Sequence, residues 1–181
     1  MIVNLKQVYS ELKAWRNENG FTVKSQRPDY FRNAMKVFDV MLAAIKNYEK
    51  CSQPDCDYSE EDKQIYEYII INTICVIAIM TINTRAQNRI HRPDIVIDSN
   101  IVIEKTRGVY ALVGNCSWYC YHMIDIPEED PWIFFRNILR HCIEFCKNYG
   151  FNFEIAMLET IKELRSSQDN FYKANYELAR L

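Results

Sequence analysis

The sequence predicts an all-α fold, and three observations carry that expectation. Only four glycines and five prolines occur in 181 residues, too little turn material for a many-stranded sheet. Apolar residues make up 49% and aromatics 13%, the composition of a packed globule rather than an unfolded chain. The apolar positions recur at three- and four-residue spacing, as on one face of a helix. At this length a single domain spanning 1–181 can hold one sizeable core.

The first helix is expected from Asn4 to Asn19, burying Val8, Leu12 and Trp15, with Gly20 as its stop. Residues 21–29 read as a loop. A second helix from Tyr30 to Lys50 carries the stripe Phe31, Ala34, Met35, Phe38, Met41, Leu42 and Ile45. Ser59, followed by Glu60, Glu61 and Asp62, marks the next start: a capping hydroxyl, then acids at the positive helix end. This third helix is expected to reach Arg89 or Ile90 before Pro93 ends it. Its middle, Ile69 to Met80, is apolar on nearly every face and belongs at the centre of a bundle. The apolar run to Ile82 is broken by Asn72, Thr73 and Thr81. It is also shorter than the roughly 20 residues that span a bilayer, so the sequence indicates a core helix and no membrane partner.

Around 94–107 the pattern changes. Ile95, Ile97, Ile101 and Ile103 alternate about Asp98-Ser99-Asn100, which suits a β-hairpin or an irregular insertion. A helix from Val109 to Ile124 follows, turning Leu112, Val113, Cys116, Cys120 and Met123 inward. Asp130-Pro131 caps the next helix, which buries Phe135, Ile138, Leu139, Cys142, Ile143 and Cys146 and is closed by Gly150 after Asn148. The last long helix opens at Asn152 or Phe153 and reaches Arg165. An aromatic-rich tail occupies 169–181.

Charge narrows the function classes. With 22 basic and 24 acidic residues the net charge is −2, which argues against a broad polyanion surface and a long nucleic acid partner. A compact anion needs only a few basic groups. Arg85, Arg89 and Arg92, with His91, form the best basic cluster, and Arg107 follows it. Guanidinium groups on successive turns can fork onto phosphate oxygens, or form a solvated helix end whose cations suit the C-terminal dipole. Trp118, Tyr119 and Tyr121 offer rings on which a base can stack.

Seven cysteines with no secretory pattern over Met1 to Lys13 predict free thiols in a reducing cytoplasm. Cys116 with Cys120, and Cys142 with Cys146, have a spacing that two facing helices could use for zinc, with His122 and His141 nearby. Both pairs also fall on apolar stripes, so core thiols are the expectation, and no metal or cofactor is predicted.

Two separated stretches carry a further signal. Glu11-Leu12-Lys13-Ala14-Trp15-Arg16 runs on to Asn33, and Met157-Leu158-Glu159-Thr160-Ile161-Lys162-Glu163 runs on to Phe171-Tyr172-Lys173-Ala174-Asn175-Tyr176. Together they resemble the phage-type branch of the MazG-like, all-α nucleoside triphosphate pyrophosphohydrolases. The resemblance implies a helical bundle assembled as a dimer or tetramer. In that family acids on two central helices hold Mg²⁺, a hard cation that wants oxygen ligands. Aligned on Asn33, the glutamate positions fall on Lys36, Val37 and Val40. The third helix offers Asn72-Thr73-Ile74-Cys75-Val76, with Asn72 and Val76 where acids belong.

The resemblance therefore implies a nucleotide pocket that binds without cutting. Its contacts would be Lys36, Asn72, Arg85, Arg89, Arg107, Trp118, Lys162 and Arg165. The expected role is a phage-encoded sponge for a host nucleotide signal, such as a cyclic oligonucleotide or an ADP-ribose derivative. One alternative is an active Mg²⁺-dependent enzyme with acids relocated to Asp39, Glu67 or Glu144. Another is an oligomeric protein-interaction module.

Overall fold

The computed structural model describes residues 5–20, 27, 29–53, 55, 57–85, 105–124 and 132–166. The described elements are α1 (Lys6–Glu18), α2 (Tyr30–Cys51), α3 (Glu60–Arg85), α4 (Lys105–Ile124), α5 (Trp132–Asn148) and α6 (Phe153–Ser166). No strand occurs among the described residues. The fold is all-α.

Local chemistry sets the helix ends. At the start of α3 the Asp62 amide donates to Ser59 Oγ at 3.1 Å, and the Ser59 amide donates back to Asp62 Oδ2 at 2.9 Å. This reciprocal pair is a capping box that satisfies two donors the helix cannot. The Ser59 hydroxyl and amide hold the Asp62 carboxyl below its ordinary range. At the end of α5, Gly150 takes a left-handed φ of 78°. The Phe151 amide then reaches Cys146 O at 2.8 Å, the six-to-one bond of a Schellman stop.

Helix α3 is the axis of the molecule. Every residue from 70 to 84 is buried, because α2, α5, α6 and α1 all pack against it. By length and composition α3 is apolar enough to cross a membrane, but here protein covers its sides. Its hydroxyls are satisfied internally: Thr73 Oγ1 donates to Ile70 O at 2.8 Å and Thr81 Oγ1 to Ile77 O at 2.7 Å. Such back-bonding lets threonine sit in an apolar core.

Helix α2 runs antiparallel to α3, burying Tyr30, Ala34, Phe38, Met41 and Ile45. Helices α4 and α5 form a pair in which Tyr119 meets Phe135 at 6.2 Å and Trp118 stacks on Phe134 at 6.1 Å between ring centres. Helix α6 lies along α3, and α1 packs on α6.

The structure corrects the sequence reading in the insertion. Residues 105–107, expected in the irregular or hairpin segment, form the first turn of α4. Lys105-Thr106-Arg107 supply a polar opening turn, so the helix extends beyond its apolar part. Residues 94–104, the stretch to Arg89 or Ile90 and the tail 169–181 lie outside the described residues. Val113 and Cys120, expected inward, are half-buried, while Val109 and Tyr119 are in the core. The buried arc of α4 is narrow because its packing partners are α2 and α5.

Candidate functional site

Three places could carry function, and they lie on different parts of the bundle. The first is a small cleft between α3 and α6, lined by Tyr68, Asn72, Phe151, Glu159, Thr160 and Glu163 among others. The buried Asn72 accepts a hydrogen bond from Thr160 Oγ1 at 3.2 Å. The Tyr68 hydroxyl donates to Glu163, 2.8 and 2.9 Å from its two carboxylate oxygens. Burial, countered in part by a hydrogen bond from Asn72, raises the Tyr68 phenol. The cleft holds about 40 Å³, far below the ~300 Å³ at which small-molecule sites begin. A nucleotide does not fit there.

The positions where the resemblance expects acids divide between helix pairs. Asn72 is turned towards α6, whereas Lys36 is exposed on α2 and Val37 and Val40 are half-buried. Among the relocated acids, Asp39 is exposed on α2, Glu67 is half-buried on α3 and Glu144 is buried on α5. Glu144 Oε2 lies 3.7 Å from Lys147 Nζ, and its Oε1 has no hydrogen-bond partner. Among the described residues no three histidine, cysteine, aspartate or glutamate side chains form a group that could hold a metal ion.

The paired cysteines are core groups. Cys116, Cys142 and Cys146 are buried free thiols. Burial pushes the Cys116 thiol up to about 12, opposed in part by the Tyr30 hydroxyl. Burial likewise raises Cys142, and a hydrogen bond with Cys75 together with burial raises Cys146. Burial of this kind favours the protonated thiol of a core cysteine.

The second place is the end of α3, where polar groups from several segments meet. Arg16 of α1, itself buried, donates from Nη1 to Asn83 Oδ1 at 2.7 Å. Arg27 Nε donates to Thr84 O at 3.1 Å, where a cation suits the negative helix end. Thr84 Oγ1 lies 3.1 Å from the Tyr119 hydroxyl. One turn back, Tyr30 donates to Cys116 Sγ at 3.3 Å and sits 2.8 Å from Thr81 Oγ1. Asn83 Nδ2 is buried and has no acceptor.

Sequence reasoning named Arg85 at this end but missed Arg16, Arg27 and Asn83. A faint signal existed for Arg16, which continues the spacing Val8, Leu12, Arg16 on the buried face of α1. Nothing local marks Arg27. Arg89 lies outside the described residues.

The third place is the outer surface of α4, where Trp118 is exposed and leans on Phe134, with Tyr121 and His122 at its edge. Arg107 is exposed on the same helix. Tyr119 marks the level of Thr84, and Arg107 stands twelve residues back, about 18 Å along the axis. The remaining two candidates are on α6. Lys162 is exposed, and Arg165 is bridged to Glu11 and to Glu18, the latter at 3.2 Å. Arg165 thus ties α6 to α1, and a phosphate would have to displace two carboxylates to reach it. Among the described residues, Lys36, Asn72, Arg107, Trp118, Lys162 and Arg165 are not gathered into one site. No family model, curated protein or solved structure matches this chain.

Proposed function

We propose that this chain binds a nucleotide-type anion without hydrolysing it, holding the anion at the end of α3. The observation that carries this reading is the convergence of Arg16 and Arg27 on Asn83 and Thr84, beside Arg85. Two guanidiniums from separate segments reach one helix end, and the Asn83 amide keeps a spare donor there. Phosphate oxygens supply acceptors of that kind. Arg89, four residues beyond Arg85, extends the cluster in sequence.

The resemblance to MazG-like pyrophosphohydrolases supports a nucleotide as the ligand. The replacement of that family's acids by Lys36, Val37, Val40, Asn72 and Val76 supports binding without cleavage. The role is sequestration, in a phage-encoded protein, of a host signal such as a cyclic oligonucleotide or an ADP-ribose derivative. Lys36, Arg107, Trp118, Lys162 and Arg165 stay outside this contact set because they occupy other surfaces.

Small molecules released by heating the purified protein, identified by mass spectrometry, test the reading. An intact nucleotide is expected, rebound equally well with EDTA present. Arg85→Ala is expected to weaken binding about tenfold, the loss of one charged hydrogen bond. Binding abolished by EDTA, or Mg²⁺-dependent release of pyrophosphate, would overturn it in favour of an enzyme.

A further inference from the structure

We infer that the outer face of α4 is a self-complementary interface on which a second copy of this chain packs antiparallel, with the two-fold axis at Gly114. Helix α4 carries no Asp, Glu, Lys or Arg from Gly108 to Ile124, yet much of that stretch faces solvent. Tyr110 is 64% exposed, Trp118 56% and Tyr121 46%. At 100° per residue, the exposed residues of α4 between 107 and 123 all fall within roughly 60° of Gly114 around the helix. The buried Leu112, Cys116 and Met123 stand opposite. Gly114 is therefore the centre line of the uncovered face, and a Cβ built on it would meet nothing within 4 Å.

The order of side chains about that centre is what identifies the occupant. In an antiparallel pair crossing at Gly114, each residue faces the one equally far on the other side. Tyr110 then meets the partner's Trp118, four residues either way, as an aromatic pair. Arg107 meets the partner's Tyr121, seven either way, as a cation over a ring. Nearer the axis Ala111 lies level with the partner's Ser117, small beside small, which lets the helices approach closely. A two-fold contact requires such self-matching.

Charge points the same way. Arg107 lies in the first turn of α4. Antiparallel pairing brings it towards the carbonyl end of the partner's α4, the negative pole of that helix, whereas parallel pairing sets it beside the positive pole. The three rings contribute roughly 300–400 Å² per copy at their observed exposures. That is about half of the ~800 Å² per partner of a standard interface. The rest comes from the flanking residues of α4 and from Ile133, which is 55% exposed on α5.

A cysteine at the axis tests the inference. The variant Gly114→Cys would face its own copy within the ~6.8 Å between Cα atoms that a disulfide tolerates. Treated with diamide, which takes up the two thiol hydrogens, it is expected to run as a covalent dimer on a non-reducing gel. Lys36→Cys, on exposed α2, and the unmodified chain are expected to stay monomeric on that gel. Adding Trp118→Asp to Gly114→Cys should abolish the cross-link while leaving the helical circular-dichroism signal unchanged. Gly114→Cys that cross-links no better than Lys36→Cys, or that cross-links equally with Trp118→Asp, would overturn the proposal.

Discussion

Helices α3 and α4 have nearly the same chemistry and opposite surroundings. Each contains a long stretch without a formal charge, Ile69–Thr84 in one and Gly108–Ile124 in the other. Four helices pack around α3, and residues 70–84 are all buried. Helix α4 packs against α2 and α5, and roughly a third of its circumference is an exposed face carrying rings. An uncharged helix wants cover on every side. The described helices supply that cover to α3 and leave one face of α4 exposed, the face on which we have proposed that a second copy packs.

The largest expected effect breaks the covered side of the comparison. Ile74→Ala in α3 should cost about 2–5 kcal/mol in denaturant unfolding, since an enclosed site cannot collapse around the missing carbons. Tyr30→Phe comes next. It keeps the ring but strips the hydroxyl from Thr81 and Cys116, and about 1–2 kcal/mol should be lost.

Alkaline pH acts on the same core. Cys116 is raised from the usual thiol value to about 12 by burial, so the folded state holds its proton more tightly than the unfolded one. Its contribution is complete below about pH 9 and is lost as pH rises through 12. A urea midpoint that falls over that window is expected, and Cys116→Ser should flatten the fall.

Smaller effects belong to the surface. Trp118→Asp on the uncovered face gives up the stack on Phe134 and should cost the monomer about 0.5–1.5 kcal/mol. Arg165→Ala removes the bridges to Glu11 and Glu18 and should cost no more than about 1 kcal/mol, shrinking further in high salt.

What was legible in the sequence follows the same division. Features fixed within one turn could be read directly: the Ser59 cap, the Gly150 stop and the α5 stripe from Phe135 to Cys146. The burial of α3 was readable because its middle is apolar on nearly every face. Features made by distant partners were not. Arg165 looks like a free phosphate ligand until Glu11 and Glu18, some 150 positions away, are placed beside it. Arg16 and Arg27 acquire meaning only when the end of α3 arrives. On α4, the sequence offered Trp118 as a stacking platform. The pattern about Gly114 became meaningful only once the structure separated its exposed face from its buried one.

The most direct test of the account is the solution mass of the unmodified chain, followed by sedimentation over a range of concentrations. The covered-versus-uncovered contrast predicts a rise from 21.6 kDa towards twice that value, with Trp118→Asp remaining at the lower mass and keeping its helical circular-dichroism signal. A chain that stays at 21.6 kDa at every concentration, or a Trp118→Asp variant that still doubles, would contradict it.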